Sequence, residues 1–180
     1  IYEEINIYTE HRKDEILAQA LIDHREGKIE SASNLYKILI TIGYKSAKVF
    51  NNYGSILKNS GDIQKAKLYY EQAINLYPEY TETYSNLAII LLENGKIDDA
   101  IDLLEYATKI NSNSPEAYYN LGNILKDYAD LNKAESYTQK AIELKPDFEL
   151  AHCNLGIILK QLCRLEEAKY SIEKAIEIKP

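Results

Sequence analysis

Alanine recurs at 66, 100, 134 and 168, a fixed interval of 34 residues, and Ala32 carries the series back into an earlier, less regular copy. Ala73, Ala107, Ala141 and Ala175 keep the same interval. So do Leu87, Leu121 and Leu155, with Tyr53 in the earlier copy, and each is followed by a small residue: Gly54, Ala88, Gly122 or Gly156. Pro78, Pro146 and Pro180 close three of the copies. Agreement of several independent columns on one period means that the folding unit is the repeat, a piece too small to bury its own apolar face and stabilised by stacking on its neighbours.

Within one copy the apolar spacing is helical: Tyr118, Leu121, Ile124 and Leu125, then Leu131, Ala134, Tyr137, Ala141, Ile142 and Leu144. Each repeat therefore reads as two helices. Gly27, Gly61 and Gly95 mark the break between them, where a left-handed residue ends the first helix. Asp62 is placed to cap the second helix. In the last two copies Ala129 and Cys163 stand in place of the glycine, and keeping the left-handed turn there should cost about 1 kcal/mol each. The small columns fit close helix crossings: Gly122 and Ala134 within a hairpin, Ala141 against the next repeat. A larger side chain would push the axes apart.

The ordered set Tyr118-Tyr119-Asn120-Leu121-Gly122, Ala134, Ala141 and Pro146 resembles the tetratricopeptide repeat. The resemblance is good in four copies, 47–80, 81–114, 115–148 and 149–180, and degenerate over 13–46. In that first copy Gln19 and Asp23 occupy places the family fills with apolar residues, and Leu39 replaces a small one. The segment 1–12, with Tyr2, Ile5 and Tyr8, reads as a leader or a short N-terminal capping helix. The implied fold is all-α, a right-handed superhelical solenoid of antiparallel helix hairpins forming a single array over 13–180.

Members of this family line a concave groove with their first helices. Asn52, Asn86, Asn120 and Asn154 recur at one first-helix position, so the resemblance implies a row of amides able to pair with the backbone of an extended peptide. Lys58, Lys126 and Lys160 follow three of these asparagines by six residues and are candidates for pairing with acidic groups of a partner, on a face that also carries Glu82, Glu93, Glu116 and Asp127. The two-carboxylate clamp of chaperone-binding relatives is disfavoured. Ser85 and Tyr119 stand where its first Lys is needed, and Glu82 and Glu116 where its later Lys is.

Chemistry is hard to find. His11, His24 and His152 are too scattered for a zinc site, so no metal and no cofactor is expected. His152 takes the place of Phe50, Tyr84 and Tyr118 and reads as a packing residue; with Cys153 beside it on a helix, the two point in different directions and make no catalytic dyad. Asp98-Asp99 and Glu166-Glu167 begin second helices, where negative charge complements the helix dipole. No phosphate loop or nucleophile elbow occurs. The net charge of -7 opposes nucleic-acid binding. The longest apolar run, Leu87 to Leu92, is far short of the roughly 20 residues a membrane span needs. Cys153 and Cys163 lie about 15 Å apart along a helix, too far for a bridge, and free thiols fit a reducing, cytoplasmic setting.

These features lead to a non-catalytic scaffold that holds a protein or peptide partner in its concave groove. Two other readings are carried. One is an N-terminal segment of a larger enzyme, such as a sulfotransferase or glycosyltransferase. The other is a self-assembling module, a homodimer joined through Ile172 and Ile176 on the last helix, which should leave an inter-repeat surface uncovered.

Overall fold

The computed structural model describes the backbone of residues 2–128 and 130–179, and the side chains of 12–128 and 130–179. Ile1, Ala129, Pro180 and the side chains of Tyr2, Ile5, Tyr8 and His11 lie outside the described residues, and with them the expected strain at Ala129. Ten helices and no strand occur among the described residues. They are α1 (Tyr2–Arg25), α2 (Ile29–Thr41), α3 (Ala47–Asn59), α4 (Ile63–Leu76), α5 (Thr81–Glu93), α6 (Ile97–Ile110), α7 (Pro115–Asp127), α8 (Leu131–Leu144), α9 (Glu149–Gln161) and α10 (Leu165–Ile178). The backbone from Tyr2 onward belongs to the same helix as Arg25, so no separate short helix precedes the first hairpin.

The chain divides into two compact units, Ile1–Asn86 and Leu87–Pro180. In the first, α1 packs on α2, α2 on α3 and α3 on α4. Its core holds Ala20, Ala32, Tyr36, Leu39, Val49, Tyr53 and Ile56. The polar residues of the degenerate first copy form a network there. Asp23 is only 5% exposed and accepts from Ser31 Oγ at 2.5 Å and from Gln19 Nε2 at 2.7 Å. The Ser31 bond, then the Gln19 bond, hold its carboxyl below the usual range. Polar residues at these positions are accommodated because each donor finds an acceptor.

In the second unit α6 packs on α7, α7 on α8, α8 on α9 and α9 on α10. The small residues sit where the hairpins close. A Cβ built on Gly122 would collide with Thr138 Oγ1 and lie 3.1 Å from the Ala134 carbonyl oxygen. One built on Gly156 would lie 2.6 Å from Ile172 Cδ1. The residue opposite each small position, 16 further on, forms a further column: Tyr36, Tyr70, Leu104 and Thr138 are fully buried, and Ile172 is the last member.

The turns use the expected geometry. Gly61 has φ +88°, with its N–H donating to Lys58 O and Asp62 N–H to Leu57 O. At Cys163, with φ +61°, both bonds recur: Cys163 N–H donates to Lys160 O and Arg164 N–H to Leu159 O. The left-handed turn is therefore kept there without glycine. Asp62 caps α4 by accepting from Lys65 N, and Asp130 and Ser114 do the same for α8 and α7.

Candidate functional site

The asparagine column takes one residue from the same position of each first helix, yet its members meet different neighbours. In the first unit, Asn52 on α3 donates from Nδ2 to the Tyr36 hydroxyl at 3.1 Å. The hub is Asn51, fully buried beside it. Asn51 Oδ1 accepts from Asn86 Nδ2 on α5 at 2.8 Å, and its own Nδ2 donates to Glu82 Oε1 at 3.0 Å and to Asn52 Oδ1 at 3.4 Å. Glu82 Oε2 in turn accepts from the Tyr80 hydroxyl at 2.7 Å. Burial, reinforced by Glu82, pushes the Tyr80 phenol well above its ordinary value. A continuous polar chain thus runs from α2 across α3 to α5. Asn51 belongs to no asparagine column, since Ser85, Tyr119 and Cys153 follow it, so the repeat pattern gave no signal for it.

In the second unit Asn120 is half-buried on α7, while Asn154 on α9 is 3% exposed and its Nδ2 has no hydrogen-bond partner among the described residues. One first helix back, Tyr119 stands where Asn51 stands relative to Asn86. A tyrosine there supplies no amide oxygen, which accounts for the unpaired donor.

The lysines do not share one environment. Lys58, Lys126 and Lys160 all fall in the last turns of α3, α7 and α9, where a cation complements the helix dipole. Lys126 is held by Asn123 Oδ1 at 2.9 Å and Asp127 Oδ1 at 3.3 Å; Lys58 is half-buried and Lys160 exposed. On α10, Ile172 rests on Gly156 and is 36% exposed, and Ile176 is 59% exposed.

The residues weighed for chemistry have structural partners. His152 Nε2 lies 2.9 Å from the Pro146 carbonyl oxygen, and the Cys153 thiol faces Glu149, so the two functional groups have different neighbours. Burial, then Glu149, pushes the Cys153 thiol up, away from thiolate chemistry. Cys153 and Cys163 are free thiols. Among the described residues no group of three His, Cys, Asp or Glu is placed to hold a metal ion, and no helix is long and apolar enough to cross a membrane.

Among solved structures, a fragment of MamA from Desulfovibrio magneticus RS-1 superposes with a TM-score of 0.69 at 22% identity, covering 93% of this chain and 94% of its own. TTC0263, a thermophilic TPR protein of Thermus thermophilus, gives 0.77 at 18% identity, covering 93% and 92%. YrrB, described as a TPR protein with an unusual peptide-binding site, gives 0.62 at 22%, covering 98% and 92%. At such identities the likeness is one of fold. No curated protein matches the chain. Three family models, each described as tetratricopeptide repeat, match residues 59–124, 115–148 and 150–180. With ten helices in the repeating hairpin pattern among the described residues and family matches that together span 59–148 and 150–180, the chain belongs to the tetratricopeptide repeat family and has its all-α helical-repeat fold.

Proposed function

We propose that this chain is a non-catalytic protein-interaction scaffold that holds a peptide or partner protein along the first-helix face of its units. Asn52, Asn86, Asn120 and Asn154 are the backbone-gripping groups in this reading. The observation that carries it is the recurrence of an amide at one first-helix position in four copies, with Asn52, Asn86 and Asn120 each only half-buried and so within reach of an extended peptide. The family assignment and the likeness to YrrB, whose description names a peptide-binding site, support the same reading. Lys160 is exposed and adds a cation for an acidic partner group.

The test compares partner capture by the wild type with Asn86→Ala/Asn120→Ala and with Asn154→Leu, each checked by circular dichroism and a melt. Asn86→Ala also leaves Asn51 Oδ1 short of a donor and should cost about 1–3 kcal/mol on its own, so the melt is needed to separate folding from binding. Partners captured equally by all folded variants would sink the asparagine reading.

A second reading, self-association through the last helix, draws on a contrast with interior copies. Thr138, Leu104 and Tyr70 are fully buried, whereas Ile172 in the same column is 36% exposed and Leu165 and Ile176 are 63% and 59% exposed. Sedimentation of Ile176→Glu beside the wild type decides it. A wild type that stays monomeric at high concentration rejects it.

A further inference from the structure

Residues 118 and 137 face each other across the α7–α8 hairpin. The Tyr118 and Tyr137 rings stack at 6.2 Å between centroids and 27° between planes, and the Tyr137 hydroxyl donates to Glu105 Oε1 on α6 at 3.4 Å. Two repeats earlier, Phe50 and Tyr69 occupy the same two places and stack at 6.2 Å and 21°. In the α9–α10 hairpin these places hold His152 and Ser171, which together lack most of that bulk.

The consequence is a cavity of about 590 Å³ between α8 and α10, floored by α9. Its lining includes both His152 and Ser171, with Leu155 and Leu159 beneath them. Gln139, in the place of Glu105, stands at the wall. The rim is acidic: among the lining residues Glu135, Glu143, Glu166 and Glu167 stand against Arg164. Arg164 is already fixed between Glu135, at 2.8 Å from both oxygens, and Glu167, at 2.6 and 2.7 Å. Glu143 is paired with Lys140 at 2.9 Å, while Glu166 has no ion pair among the described residues.

We infer that this cleft receives a tyrosine side chain of a partner polypeptide, flanked by basic residues. The preceding hairpin supplies the template. A guest ring lies over His152 as Tyr137 lies over Tyr118, its edge rests on Leu155 and Leu159, and its hydroxyl meets Gln139 as Tyr137 meets Glu105. The His152 ring is oriented for this by its bond to the Pro146 carbonyl. Lysine or arginine on either side of the guest tyrosine finds Glu166 and the carboxylate charge that Arg164 leaves unbalanced. The cleft lies apart from the asparagine column, so this inference does not depend on the first-helix reading.

The test is an NMR titration of the isotope-labelled chain with the capped peptide Lys-Lys-Tyr-Lys-Lys. The expected result is millimolar or tighter binding, with shift changes centred on His152, Leu155 and Ser171. Replacing the peptide's tyrosine by alanine should weaken binding at least about tenfold. Ser171→Tyr refills the cleft from inside, should melt no lower than wild type, and should weaken the peptide to the same degree. Glu166→Lys, an exposed rim change that leaves the hairpin packing untouched, should weaken it several-fold and flatten its salt dependence. Equal binding by wild type and folded Ser171→Tyr overturns the inference, as does the absence of shifts around His152 at millimolar peptide. A wild-type dimer that Ser171→Tyr abolishes, without peptide binding, also overturns it by giving the cleft to a tyrosine of a second copy.

Discussion

Gly122→Ala sets two opposed effects against each other at one position. Alanine in mid-helix is favoured over glycine by up to about 1 kcal/mol. Against that, the new Cβ would overlap Thr138 Oγ1 and lie 3.1 Å from Ala134 O and 3.2 Å from Thr138 N. Two of these three atoms are backbone of α8, so rotating a side chain away cannot relieve the crowding and the helix axes must part. Overpacking of this kind costs about 1–3 kcal/mol. Because the relief is blocked, the upper half of that range applies, and the net destabilisation is about 1–2 kcal/mol. That corresponds to a melting temperature lower by about 2–8 °C, measured by circular dichroism. The double variant Gly122→Ala/Thr138→Ala removes the closest of the three contacts and should recover part of the loss beyond additivity. A Gly122→Ala chain that melts at or above the wild type would refute the reasoning, since helix propensity alone would then govern the site.

Thr138→Val replaces a fully buried hydroxyl that has no hydrogen-bond partner among the described residues with a methyl group of similar size, and should raise stability by about 1 kcal/mol, read from the denaturation midpoint; a lower midpoint would contradict it. Cys163→Gly relieves a left-handed residue, and the melting temperature should rise by about 2–4 °C, a drop counting against strain at that turn. Asp23 has a carboxyl held below its unfolded value, so its contribution is present above about pH 4 and is lost as pH falls through the folded value. The stability gap between wild type and Asp23→Asn should therefore be wide at neutral pH and narrow in acid, as read from melts across that range; a constant gap would mean that Asp23 titrates alike in both states.

The recurrence of alanine, glycine and proline at 34 residues carried the hairpins, their turns and the close crossings, because each of those demands is local or is met by a small residue alone. Positive φ at Gly27, Gly61 and Gly95 follows from chain geometry that a sequence displays. The functional surface was legible only as columns. Asn86 and Asn154 share a repeat position, but one bonds Asn51 across to α3 and the other is buried with an unpaired Nδ2. That difference is set by a residue a whole repeat away, Asn51 in one case and Tyr119 in the other.

The same holds for the cleft. His152 departs from an aromatic column and Ser171 from one that holds Tyr69, Leu103 and Tyr137, yet that the two columns face each other, stack in two earlier copies and leave an open cavity in the last is decided by how α9 crosses α10. By itself the sequence determined the hairpin repeat, because periodicity and turn chemistry act within a few residues. Only the tertiary structure decided which polar groups are satisfied and which hollow stays unfilled, because both depend on side chains brought together from helices far apart in the chain.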